Sequence, residues 1–179
     1  MLHIKLIVLG NLKEAYWRDA VKGYEKRLCA FCKPTLLELK EARLSENPSE
    51  SEVRAALADE GKRILSAMPP RAYRIALCVE GKQFSSEALA ERLQSAIDGQ
   101  GSLCLVIGSS HGLAPEVKEA CQLRLSVSAL TFPHQIMRAL LPEIVYRSFT
   151  ILHGKKYLGF ISVSGYGCDG AESYISRVS

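Results

Sequence analysis

No run of apolar residues in this chain approaches the ~20 that a helix needs to cross a bilayer. The opening MLHIKLIVLG has no charged segment ahead of a long apolar core, and it passes straight into polar NLKEAYWRD, so no secretion signal is read there. With both absent, a cytoplasmic location is expected and no membrane partner. A strong charge of one sign is also missing. The net charge of +4 and pI of about 8.7 permit an RNA or other polyanion partner without requiring one. The six cysteines, Cys29, Cys32, Cys78, Cys104, Cys121 and Cys168, are scattered, and they are read as reduced thiols. CAFC at 29–32 has C-x-x-C spacing but no second pair and no nearby histidine. This argues against zinc and leaves two ordinary thiols near a helix end. No metal is expected. There is no G-x-S-x-G nucleophile elbow, no Ser-His-Asp set that can be placed, and no internal repeat.

What is present is a globular composition. Of 179 residues, 47% are hydrophobic and 23% charged, which suits one domain rather than a disordered chain. HIKLIVLG is a strand ending in a glycine turn, and 13–31 has helical spacing of Tyr16, Ala20, Tyr24 and Leu28. TLLELK is a second strand. A polar loop follows, then a helix over 52–68 capped by Ser49 or Ser51. YRIALCVEG and SLCLVIG are almost continuously apolar, as strands buried on both faces are. Between them lies a helix with Ser85 or Ser86 at its start and Gly99 at its end. A short helix with Pro115 in its first turn and a short strand in LRLSVS complete the pattern. Strands alternating with helices predict an α/β fold, a mostly parallel sheet flanked by helices on both faces. After Tyr157 the chain turns rich in glycine and serine and loses helical period.

In open α/β sheets ligands bind beyond the carboxyl ends of the strands. Three loops belong there: VEGKQFSS, IGSSHGL and SALTFPHQ. Gly108 and Gly112 in the second would let backbone come close to a ligand. The third leads into LTFPHQIMRALLPEIVYRSF, a helix with an unusually wide apolar face formed by Ile136, Met137, Leu140, Leu141, Ile144, Val145 and Ser148. Such a face suits a helix packed against its own sheet and against a second subunit. His134, Arg138 and Tyr146 line the other side, where Arg138 could hold a phosphate or carboxylate. Glu143 and Arg147 are spaced to pair along the helix. Pro142 removes a hydrogen bond in mid-helix, at ~3 kcal/mol where exposed, and predicts a kink over 138–142.

Several of these motifs agree. LGNLKEAYW followed by GYEKRL, then LVIGSSHGL, LRLSVSA and LTFPHQIMR with EIVYRSF, together resemble the SPOUT-class methyltransferases that modify a pseudouridine at N3 in large-subunit ribosomal RNA. The resemblance spans residues 1 to about 157. It implies an α/β sheet whose C-terminal part is a trefoil knot, a homodimer built on the knot helix, and S-adenosyl-L-methionine as cofactor. The implied cofactor contacts are Leu77, Gly108, Val127, Ser128, Ala129, Leu130, Thr131 and Phe132, much of it through backbone. His134, Arg138 and Tyr157 are the implied catalytic residues. The implied substrate is 23S rRNA in the assembled ribosome or large subunit, with Arg138, Arg147, Lys155, Lys156, Lys13 and Lys82 as candidate phosphate contacts.

Two departures stand out. The family ends within two residues of its tyrosine, in Tyr-His-Lys or Tyr-His-Arg, whereas here Leu158 and Gly159 stand in those places and the chain runs on to Ser179. Residues 1–157 are therefore expected to form one methyltransferase domain and 158–179 an atypical extension. The alternative reading is a catalytically weakened relative that binds cofactor and ribosome without efficient methyl transfer. Smaller departures are Ser109 for the family's second glycine, Leu130 for its usual methionine, and Pro142.

Overall fold

The computed structural model describes residues 1–154. The expectations placed on Lys155, Lys156, Tyr157 and the extension lie outside them. Among the described residues the chain forms five strands: β1 (His3–Leu9), β2 (Lys33–Leu39), β3 (Tyr73–Lys82), β4 (Ser102–Ile107) and β5 (Leu123–Leu125). They make one sheet in the order β2-β1-β4-β3-β5, with every pair parallel. The helices are α1 (Ala15–Leu28), α2 (Glu50–Ala67), α3 (Ser86–Gln100), α4 (Pro115–Glu119) and α5 (His134–Leu152).

The alternation of side chains along each strand decides the layers. From β1 and β4, Ile4, Leu6, Val8, Leu103 and Leu105 pack with Leu28 of α1, Leu93 of α3, and Leu141 and Phe149 of α5. On the opposite face Ile7, Leu9, Cys104 and Val106 pack with Ile64 of α2 and Val117 of α4. β1 and β4 thus lie between helix layers, as the unbroken apolar run of β4 predicts. Each fully buried leucine or isoleucine contributes ~1.5–3 kcal/mol relative to exposure.

α5 lies against both α1 and α3, above the sheet. Its apolar width has an explanation within one chain: Leu141, Val145 and Phe149 are buried in the main core, and Met137 and Ile144 pack against it. Part of the side expected to face a ligand is also occupied. Tyr146 packs on Phe31, with ring centroids 5.9 Å apart. Pro142 is buried and does not end the helix, which continues to Leu152. It has no N–H to give the carbonyl of Arg138.

The helix ends follow local chemistry, with one change from expectation. Ser49, not Ser51, caps α2 in a reciprocal capping box with Glu52. Ser85 caps α3. That helix ends at Gly101, whose φ of 72° is the left-handed conformation of a C-cap, while Gly99 is still inside it. β3 has the irregularity that matters most for function. It pairs with β5 through Leu77, leaves the ladder, and rejoins at Lys82, so that both Leu77 and Lys82 oppose Leu125. Residues 78–81 form an arch, and Ser126 donates its N–H to the Lys82 carbonyl at 3.0 Å to close it. A Cβ on Gly81 would lie 2.5 Å from the Leu125 carbonyl carbon, so only glycine fits at the return.

Replacing Ser49 with alanine is expected to lower stability by about 1 kcal/mol in urea denaturation at neutral pH. The other half of the box depends on pH. The Ser49 backbone N–H, then its hydroxyl, hold the Glu52 carboxyl below the usual carboxylate range. Its stabilising effect is therefore complete above the unfolded-state value and fades as pH falls through the folded one. The stability gap between the wild type and Glu52→Gln should shrink between neutral pH and about pH 3.

Candidate functional site

The arch within β3 and the loops after β4 and β5 enclose a cleft of about 680 Å³. That volume lies within the range of cofactor and small-molecule sites. One wall is the β3 arch, which brings Cys78, Val79 and Glu80 to the rim. The floor is the turn after β4. Gly112 donates its N–H to the Ser109 carbonyl at 2.9 Å, with φ of 88°. A Cβ on Gly108 would come within 2.1 Å of the Gly112 carbonyl oxygen. The chain's own approach to itself, before any ligand, therefore demands glycine at 108. The third wall is the loop after β5. There Ser126 Oγ donates to the Ser128 carbonyl at 2.9 Å, and Leu130 N donates to Ser128 Oγ at 3.0 Å. Two short side chains thus shape a loop that has no regular secondary structure.

Of the residues expected to contact a cofactor, Leu77, Gly108, Val127, Ser128, Leu130, Thr131 and Phe132 line this cleft, and His134 joins them from the first turn of α5. Ala129 belongs to the same loop but does not line the wall. Arg138 is not brought there. It is 3% exposed, and its guanidinium donates to the Gly10 carbonyl at 3.0 Å and to the Glu38 carboxylate. A buried cation needs partners at hand. Here they are supplied by the end of β2 and the turn after β1, so Arg138 braces α5 instead of meeting a phosphate. Arg147 is paired with Glu143. Lys82 sits 4.9 Å from the centroid of the Phe84 ring. Tyr157 lies outside the described residues.

Met137, His111 and the Glu80–Lys118 pair also line the cleft, although none of them was among the expected contacts. The signal for Glu80 was the glycine that follows it, which marks where β3 bends back. Lys118, by hydrogen bond first, holds the Glu80 carboxyl below the usual carboxylate range, so the two stand at the rim as an ion pair. Burial pushes the Cys78 thiol up, and it pushes Cys32 and Cys104 up to about 11 and Cys121 up to about 12. These cysteines are thiols, not nucleophilic thiolates. Among the described residues no group of His, Cys, Asp and Glu could hold a metal ion, and no helix is long and apolar enough to cross a membrane.

A family model described as "Predicted SPOUT methyltransferase" matches residues 2–157. The chain belongs to the SPOUT methyltransferase family. Curated relatives carry the name ribosomal RNA large subunit methyltransferase H. The one from Streptococcus thermophilus is 45% identical over 157 residues, covering 87% of this chain and 99% of that protein. One from Leuconostoc mesenteroides is 41% identical with the same coverage. The α/β sheet is therefore that of a SPOUT methyltransferase.

Three outcomes check this account of the site. Gly108→Ala should open the turn after β4 and weaken cofactor binding by at least ~10-fold, read by calorimetry. Arg138→Met should cost about 2–3 kcal/mol of stability in denaturant, because it unpairs Glu38 and the Gly10 carbonyl. In peptide mapping after brief alkylation of the native protein, exposed Cys29 should react well before Cys32, Cys104 and Cys121.

Proposed function

We propose that this methyltransferase uses S-adenosyl-L-methionine to methylate N3 of a pseudouridine in 23S rRNA, acting on the assembled ribosome or large subunit. The observation that carries the reading is that seven residues from β3 and the loops after β4 and β5, with His134, meet on the walls of one cleft. The residues present fit the cofactor. Leu77, Val127, Leu130 and Phe132 offer apolar walls to an adenine ring. The loop after β5, ordered by Ser126 and Ser128, offers peptide groups to a ribose and an amino-acid end. S-adenosyl-L-methionine supplies a methyl group on a positively charged sulfur.

The chain's own residues then position, exclude water and handle a proton. The β3 arch and Phe132 narrow the mouth of the cleft. Attack by N3 requires alignment with the methyl group and loss of the N3 proton. His134 is half-buried on the cleft wall, where its imidazole can hold that proton. Arg138 supports the helix that carries His134, and Tyr157 completes the proposed catalytic set. The working form is a cytoplasmic homodimer with the trefoil knot of its family. Residues 1–157 form the catalytic domain and 158–179 an extension. Exposure of Val79 (62%), Leu130 (70%) and Phe132 (40%) around the cleft supports a second subunit there. A weakened enzyme is the second reading, favoured by Leu158 and Gly159 in place of histidine and a basic residue.

The test is methyl transfer from labelled S-adenosyl-L-methionine to ribosomes that lack the modification. It compares the full chain with a version cut after Tyr157 and ended in His-Lys. Transfer by the full chain supports the active enzyme, and transfer by the repaired version alone supports the weakened one. Transfer by neither, with no cofactor bound, refutes both. If the full chain is active, His134→Ala should lower kcat by ~100-fold and leave cofactor affinity nearly unchanged.

A further inference from the structure

Glu60 lies on α2, on the opposite side of the β4 turn from the cofactor cleft, and it is 3% exposed. Its two carboxyl oxygens accept from different loops. Oε1 takes the backbone N–H of Ala42, at 2.8 Å, and Oε2 takes the hydroxyl of Ser109, at 3.0 Å. Ser109 is itself on the wall of the cofactor cleft. The next residue on α2, Gly61, leaves no room for a side chain, since a Cβ there would lie 2.9 Å from the Ala114 Cβ. α2 is thus pressed against the segment that leaves the cleft, and this brings Glu60 within reach of Ser109. Behind the wall is a second cleft of about 450 Å³, lined by the loop at 41–45 and by Glu60, and it shares Ser109, Ser110 and His111 with the first. The floor of the cofactor cleft is therefore a partition, held from behind by one carboxyl group.

We propose that Glu60 is a positioning residue for methyl transfer: by tying Ser109 to the loop at 41–45 it sets the turn after β4 in the shape that receives the cofactor. The proposal rests on the reading of the larger cleft as the cofactor site. The tie acts on binding of the cofactor and not on the proton of the target base. Its loss therefore raises KM for S-adenosyl-L-methionine and leaves kcat nearly as it was.

The experiment is calorimetric titration of the full-length protein with S-adenosyl-L-methionine, together with KM and kcat on ribosomes. The variants are Ser109→Ala, Glu60→Ala, the double variant and Glu60→Gln. Ser109→Ala removes one hydroxyl and keeps the fold, and it should weaken binding by roughly 10-fold. Glu60→Ala should do the same, and the double variant should be no worse than Glu60→Ala. Glutamine can still accept from Ala42 and donate to the Ser109 hydroxyl oxygen, so Glu60→Gln should restore most of the affinity. Wild-type affinity in Ser109→Ala would overturn the proposal. So would additive losses in the double variant, which would mean that Ser109 touches the cofactor independently of Glu60. Failure of the wild type itself to bind would overturn the cofactor reading, and this proposal with it. If Glu60→Ala does not fold, Ser109→Ala and Glu60→Gln decide the matter.

Discussion

The burial of β4 on both faces governs most of what surrounds it. Its side chains fill the core above and below the sheet, and its edges are paired to β1 and β3. A strand enclosed in this way has only its ends free. The helices that follow β1 and β3 leave toward one face, and the helix that follows β4 leaves toward the other. A crevice opens where neighbouring connections part. The turn at 108–112 stands at that point, and its tightness accounts for glycine at both ends. The cleft is thus a consequence of strand order before any residue in it is chosen for chemistry.

Much of this was legible in the sequence. Unbroken apolar runs identified β3 and β4 as interior strands, and serine caps marked where α2 and α3 begin. The seven expected residues that line the cleft lie in the loop after β5, in the turn after β4 and beside the β3 arch, where family motifs are dense. Reading failed where position depends on what lies across from a residue. Arg138 falls on the polar side of a helical wheel, and a wheel treats that side as open. In the molecule it faces Glu38 and the Gly10 carbonyl, which come from parts of the chain about a hundred residues earlier. The same limit hid Glu60, which looks like an ordinary acidic residue of an amphipathic helix until Ser109 is placed beside it. Gly99 and Gly101 differ only in which one reaches the end of the last helical turn.

Two of the buried charged residues, Arg138 and Glu60, play opposite parts. Arg138 carries its charge beneath α5 and joins it to the turn after β1. Glu60 lies on the other face and joins α2 to the turn after β4. Neither lines the larger cleft as a charged group, yet each holds an element that does. Buried polar networks of this kind specify one arrangement of loops where apolar packing would tolerate several.

The pairing of β1 with β4 also has a temporal side. Ile4 is matched to Leu103, so the centre of the sheet joins one segment to another that is made about a hundred residues later. During synthesis β1 leaves the ribosome with apolar side chains on both faces and without its inner neighbour. Long-range parallel pairing is slow, and its unpaired edges invite aggregation in the interval. β2 and α1 can cover β1 on one edge and one face, but its other edge must wait. A protein whose proposed substrate is the ribosome thus spends its own time on that particle with its central seam still open.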